Sequence, residues 1–437
     1  MSEANCVDIR YYLRIDQQLF QRNARASLEA ALADTPVVVL TGPRQCGKST
    51  LATEVAAGLS ARCVSFDDAG PRAAANADPA GFIEQSELPL FIDEFQKAPM
   101  ILDAIKSRVD RARRANPRAA GMFLLTGSAN VWATLRISES LVGRAERIRL
   151  WPLSQGEILG RRERFIDDLF EARVPVLADV PSGRPAISRQ VVTGGYPEML
   201  ARPTPVRRAR WSQNYIEMTL ERDVQDLTKR AQQLDELPRL LELSAARVAS
   251  LVDLTELGRS AQMKRDTVGR YLRLLELLFL VDRLPAWSRN IGQRLIKAPK
   301  LTLPDTGLAA QLTGYGPARF EDLQDSFAGS LFENFVAGEI AKQATWAERD
   351  VRLHHFRTAG GREVDLVVED RAGSVVGLES KLGATPHESD FRGLAHLRDR
   401  LGDRFKGGVV LNTGSQTLPF GDRLWALPVS ALWSGGT

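Results

Sequence analysis

The sequence predicts an α/β protein built around a parallel-sheet nucleotide-binding core, with further modules behind it. Three observations predict this. Short β-branched apolar runs alternate with helix-forming stretches through the first third of the chain. One of those runs feeds straight into a glycine-rich loop ending in Lys48-Ser49. At 437 residues the chain is too long for one ordinary domain.

Composition narrows the class. Hydrophobic residues make up 44% and charged residues 26%, which is globular and not disordered. The apolar stretch near Leu274 to Val281 is far short of the ~20 residues a membrane span needs. No basic start followed by an apolar run opens the chain, and Cys6, Cys46 and Cys63 form neither a disulfide framework nor a zinc-finger spacing. The four histidines leave little room for a histidine-rich metal site. A cytoplasmic protein with no membrane partner is expected. Net charge is only +4, but Ala201 to Lys300 holds 19 basic against 12 acidic residues. A basic middle segment suits a polyanion, although a solvated helical surface has the same composition.

The elements follow in order. Pro36 to Leu40 is a buried-strand run, and Gly42-Pro43-Arg44-Gln45-Cys46-Gly47-Lys48-Ser49 after it matches G-x-x-x-x-G-K-[ST] at every fixed position. The backbone N–H groups of this loop, with Thr50 opening the next helix, would face the phosphates of ATP. Lys48 would reach the β and γ phosphates, and the Ser49 hydroxyl would ligate Mg²⁺. Cys46 is expected as a small filler. Ala61 to Asp68 is a second strand. Leu88 to Glu94 is a third, ending in Asp93, suited to Mg²⁺ through water, and Glu94, suited to polarising the attacking water. Met122 to Leu125 leads to Thr126-Gly127-Ser128, where Ser128, ahead of Thr126, could sense the γ-phosphate. Ala145 to Leu153 follows Arg144, which is either an arginine finger reaching a neighbouring subunit or a surface ion-pair arginine.

These motifs, read as LTGPRQCGKSTL, LPLFIDEFQKAP, LLTGS, SLVGR and WPLSQGE, resemble a group of prokaryotic AAA-family ATPases. Gly194-Gly195-Tyr196-Pro197-Glu198 and the stretch from Tyr215 to Val224 look like the same family, whose members carry a C-terminal domain of unknown function. The resemblance implies an AAA+-like ATPase core with a helical lid. Residues 1–155 would then be the core and 156–235 the lid, with Arg222 more readily a structural ion-pair partner than a phosphate sensor.

Residues 236–315 read as a winged helix: Leu254 to Ser260 capped by Asp253, a turn, a helix from Lys264 to Leu280, then strands Val281 to Leu284 and Arg294 to Lys300. Lys264, Arg265, Arg270 and Arg273, with Trp287, Arg289 and Arg294 on the wing, could meet DNA phosphates, or the module could serve packing. In residues 316–437, strands Glu363 to Glu369 and Ser374 to Lys381 flank Arg371-Ala372-Gly373, a favoured three-residue hairpin loop. Pairing Asp370 with Ser374 puts Asp365 opposite Glu379, with Lys381 on the same face. Two carboxylates can hold Mg²⁺ and a lysine can orient water. The pattern resembles the PD-(D/E)XK nuclease motif, in which Glu333 on the helix from Gly329 would join the metal site. Ser380 departs from it, standing where an apolar residue is usual. Expected overall is an ATP- and Mg²⁺-dependent ATPase coupled to DNA, as a homo-oligomer if Arg144 acts in trans. The alternatives are a nucleotide switch with an inactive nuclease-like domain, and a DNA-binding regulator.

Overall fold

The apolar runs of the first third pair as one parallel sheet. The structure, a computed structural model, describes residues 20–127, 141–174, 183–227, 236–288, 290, 292, 294, 297–322, 324–358 and 360–434, without the side chains of 222–227. The chain divides into two units, Met1–Trp151 with Leu277–Phe279, and Pro152–Glu276 with Leu280–Thr437.

In the first unit the elements are α1 (Arg25–Asp34), β1 (Val37–Thr41), α2 (Lys48–Gly58), β2 (Arg62–Ser65), α3 (Ala69–Ala77), α4 (Pro79–Glu84), β3 (Leu90–Asp93), α5 (Ile101–Ala115), β4 (Phe123–Gly127) and β5 (Ala145–Arg149). All five expected strands form. Their order is β2-β3-β4-β1-β5, and every pairing is parallel. β1 is therefore interior, and all five of its residues are buried, as its Val-Val-Val-Leu run requires. The order places the C-terminal ends of β1, β3 and β4 side by side, where a parallel sheet presents ligands.

The second unit opens with α6 (Gln155–Ile158), α7 (Phe165–Phe170), α8 (Arg184–Thr193), α9 (Pro197–Leu200), α10 (Pro205–Leu227) and α11 (Leu237–Ala245). Residues 156–235, expected as the lid, thus group with the C-terminal half. Next come α12 (Leu254–Ala261) and α13 (Arg265–Leu277), and an antiparallel pair, β6 (Asp282–Leu284) with β7 (Lys300–Thr302). The Asp253 carboxylate accepts from the N–H groups of Thr255 and Glu256, capping α12 as expected. The second strand of the pair begins later than expected. Pro299 has no N–H to donate to a ladder, so pairing starts at Lys300.

The chain continues through α14 (Thr306–Leu312), α15 (Pro317–Phe320) and α16 (Ser326–Gln343). The last sheet contains β8 (Val351–Arg357), β9 (Glu363–Asp370), β10 (Val375–Lys381), β11 (Phe405–Asn412), β12 (Leu418–Pro419) and β13 (Leu424–Pro428), in the order β12-β13-β11-β10-β9-β8, with α17 (Arg392–Leu401) before β11. The β9–β10 hairpin has the expected register: Glu369 faces Val375, Leu366 faces Leu378, and Asp370 N–H donates to Ser374 O at 3.0 Å. No helix among the described residues is long and apolar enough to cross a membrane.

Candidate functional site

The loop after β1 is held open by its own residue choice. A Cβ on Gly42 would lie 2.1 Å from the Leu150 carbonyl oxygen, so only glycine lets the strand turn there. Gly47 has φ +95°, a conformation that disfavours any side chain, and it is the residue from which α2 starts. Cys46 is fully buried and free, with its sulfur 3.5 Å from Leu150 O, which fits the filler expected of it. Arg22 braces the loop: its guanidinium donates to Cys46 O at 2.6 Å and to Trp151 O at 2.8 Å. Lys48 is 6% exposed and its ammonium donates to Pro43 O at 2.7 Å across the loop. Pro43, Arg44 and Gln45 complete the turn, with Gln45 at φ +58°, and Thr50 lies in the first turn of α2.

Asp93, at the end of β3, is the point of convergence. The Ser49 hydroxyl donates to Asp93 Oδ1 at 2.9 Å, and the Thr126 hydroxyl donates to the same oxygen. The β3–β4 register, in which Ile92 faces Leu125, brings Thr126 there. The sequence signal for this contact is the position of Thr126 at the end of a buried strand beside the acidic one. Ser128 lies outside the described residues. Glu94 adopts the left-handed conformation (φ +54°) and accepts from the Gln96 amide. Burial pushes the Glu94 carboxyl above the usual range; Lys48 opposes this and Asp93 adds to it. A hydroxyl and a carboxylate are the hard oxygen ligands Mg²⁺ takes when phosphates and water complete its shell, so this set fits that ion.

The second constellation lies in the other unit. Asp365 and Glu379 do come together: Glu379 Oε2 accepts from the Asp365 N–H at 3.3 Å, and Asp365 Oδ2 from the Ser380 N–H at 2.9 Å. Lys381 Nζ donates to Glu379 Oε1 at 2.9 Å. Glu333, on α16, joins them through Lys300, the first residue of β7. Lys300 Nζ lies 2.5 Å from Glu333 Oε1, 2.7 Å from Glu363 Oε1 and 3.5 Å from Asp365 Oδ1, with its side chain 3% exposed. Burial works against the Lys300 ammonium, but the three carboxylates outweigh it and hold it charged. Burial pushes Glu333 and Glu379 up, and the Asp365 charge pushes them further. Among the described residues no group of three or more His, Cys, Asp or Glu side chains is disposed to hold a metal ion. The residues expected to hold Mg²⁺, Glu333, Asp365 and Glu379, face donors of the chain itself. An ammonium stands between the carboxylates, and the oxygens of Asp365 and Glu379 are engaged by N–H donors.

Comparison with known proteins gives the context. Residues 34–159 match an AAA domain, 184–319 a domain of unknown function (DUF8612), and 328–432 another (DUF4143). Uncharacterized protein Rv2008c of Mycobacterium tuberculosis and uncharacterized protein Mb2031c of Mycobacterium bovis are each 30% identical over 419 residues, covering 95% of this chain and 85% of theirs. The chain belongs to their family. Among solved structures, the Thermotoga maritima RuvB Holliday junction branch migration motor is similar at 19% identity and a TM-score of 0.28, covering 60% of this chain and 89% of that one. AMPPCP-bound DnaA from Aquifex aeolicus is similar at 14% identity and a TM-score of 0.27, covering 58% and 85%. At these scores the likeness is too loose to inform function.

Several motif residues serve structure. Ser154 and Glu157 form a reciprocal capping box at α6, and the Gln155 N–H donates to Glu339 Oε2 at 2.8 Å. Glu163 accepts the Gly156 N–H at 2.8 Å; burial, with Glu339 and Glu157 nearby, raises it to about 8 although Ser154 and Gly156 bond it. The Gly195 N–H donates to Asp305 at 2.7 Å, and Tyr196 is fully buried. Arg144 forks onto Asp110 at 2.6 and 3.0 Å, which favours the ion-pair reading over a finger. Lys264, Arg265, Arg270 and Arg273 are all exposed, as expected. Trp287 and Arg294 are not available to a ligand. Trp287 is 1% exposed and its backbone N–H donates to His355 O at 2.6 Å, while Arg294 is clamped on Glu369 at 2.6 and 2.9 Å. His354 and His355, on β8, are buried, which lowers both to about 4, so they are neutral structural groups. Arg289 and the Arg222 side chain lie outside the described residues.

Proposed function

We propose that the chain binds ATP in the loop 42–50 and hydrolyses it with Mg²⁺. The observation that carries this reading is the convergence of the Ser49 and Thr126 hydroxyls on Asp93, beside a buried Lys48. Loop N–H groups and Lys48 bind and orient the β and γ phosphates. Ser49 and Asp93 would hold Mg²⁺, which when bound neutralises charge on the transferring phosphoryl group. Glu94, one residue beyond and turned by its left-handed backbone, orients the attacking water. Calorimetric titration of MgATP tests the reading. The wild-type chain takes up nucleotide and the Lys48→Ala chain does not bind it measurably. A folded wild-type chain that takes up none refutes it.

We also propose that turnover is coupled to DNA through the α12–α13 module. Helices α11 to α13 followed by the β6–β7 pair support a winged-helix reading, and four exposed cations on or beside α13 support phosphate contact. A homo-oligomer belongs to this proposal only if Arg144 exchanges Asp110 for a neighbour's phosphate. Metal-dependent cleavage by the C-terminal domain is not part of it. The hairpin register and α16 support a nuclease-like fold, whereas the Lys300 ammonium favours the alternative of a nucleotide switch with an inactive domain. Stimulation of ATP turnover by DNA, absent from a neutralised α13, separates the two readings.

A further inference from the structure

The carboxylate cluster of the C-terminal sheet already contains a cation, and that cation is covalently part of the chain. We propose that Lys300 is the resident counter-ion of Glu333, Glu363 and Asp365, and that its ammonium excludes a divalent metal which the same carboxylates would otherwise bind. The inference does not depend on the nucleotide reading, because the two sites share no residue.

The geometry carries it. Lys300 begins β7, so its backbone is fixed by the pairing of Leu284 with Lys300 and by a bridge to Leu251. Its stem is buried and its Nζ reaches carboxylates from α16 and from two positions of β9. A lysine held at both ends in this way is not a surface side chain that drifted into an acidic pocket. The three oxygens it touches come from two other elements, α16 and β9. Without a cation between them their mutual repulsion would fall on groups partly or wholly withdrawn from solvent.

The same oxygens define what is excluded. Mg²⁺ or Mn²⁺ needs oxygen ligands at roughly 2.0–2.2 Å. An ion placed to reach both Glu333 and Asp365 would sit against the Lys300 ammonium, charge against charge. Removing that ammonium leaves Glu333, Asp365 and, across the hairpin, Glu379 as a hard-oxygen set with Lys381 beside it. That set has lost the Lys300 charge and suits a divalent ion of the Mg²⁺ or Mn²⁺ class.

The experiment titrates Mn²⁺ into the full chain without nucleotide, following bound ion by electron paramagnetic resonance and thermal unfolding by fluorescence. Wild type, Asp365→Asn, Lys300→Met and Lys300→Met/Asp365→Asn are compared; methionine keeps the stem and deletes the charge. Wild type is expected to take up no Mn²⁺ that Asp365→Asn abolishes. Lys300→Met should bind one ion at least tenfold more tightly than wild type, and the double variant should lose it. If Lys300→Met folds poorly, Mn²⁺ should restore its unfolding temperature, while leaving wild type unmoved. Three results overturn the proposal: Asp365-dependent uptake by wild type, a folded Lys300→Met chain that binds no ion, and an unfolded one that Mn²⁺ does not rescue. MgATP uptake, measured in parallel, reports separately on the loop at Lys48.

Discussion

Glu163→Gln is the perturbation whose size follows most directly from the structure. The carboxyl is buried, accepts the Gly156 N–H, and has Glu157 and Glu339 as acidic neighbours; Lys342 Nζ is committed to Glu339 at 2.6 Å. Its folded pKa of about 8 stands above the unfolded value of 4.5. Below pH 4.5 both states are protonated and the group takes nothing from stability. Between 4.5 and 8 the unfolded chain releases a proton that the folded chain keeps, so stability falls as pH rises. The slope is about 1.4 kcal/mol per pH unit, or on the order of 5 kcal/mol across the window, and it ends above the folded pKa. Glutamine keeps the oxygen that accepts from Gly156 and cannot ionise. The variant should therefore match wild type near pH 5 and exceed it increasingly up to pH 8. By pH 9 its unfolding temperature should stand higher by roughly 10 °C. Urea or thermal unfolding followed by tryptophan emission reads this. A wild-type-minus-variant difference that is constant from pH 5 to pH 9 would refute the reasoning.

Other expectations are simpler. Glu94→Gln should lower ATP turnover by about 10²–10⁴ while leaving MgATP affinity within a few-fold, as steady-state rates and calorimetry would show. Arg144→Ala removes a half-buried pair at the surface and should cost no more than about 1 kcal/mol of stability. A drop in turnover beyond tenfold that mixing with Lys48→Ala chains partly restores would instead establish an arginine acting in trans. Replacing Lys264, Arg265, Arg270 and Arg273 with alanine should flatten the salt dependence of DNA binding by up to about four counter-ions, measured by anisotropy at several salt concentrations. An unchanged slope would remove α13 from any DNA contact.

The parts of the molecule that are local in sequence were legible there. The glycine loop, the acidic strand end and the β9–β10 hairpin each lie within a few residues, where periodicity and turn chemistry decide the structure. The hairpin register followed from its three-residue loop alone. What escaped depends on contacts between remote segments. Nothing around Lys300 announces that its amine lies against α16 and β9. Trp287 and Arg294 looked like an exposed wing because their partners, His355 and Glu369, are on strands much later in the chain. Glu157 and Glu339, both 1% exposed, are likewise buried charges that composition would place outside. Thr126 was an intermediate case: its strand was read correctly, but the neighbour that gives it meaning is set by sheet order.

The bracing of the phosphate loop by Arg22 bears on how this protein should be dissected. The AAA-domain match begins at residue 34, and a fragment cut to that boundary would look complete by sequence. It would discard the guanidinium that ties Cys46 O to Trp151 O, together with α1. Weak nucleotide affinity in such a fragment would then report a missing strut rather than an idle enzyme.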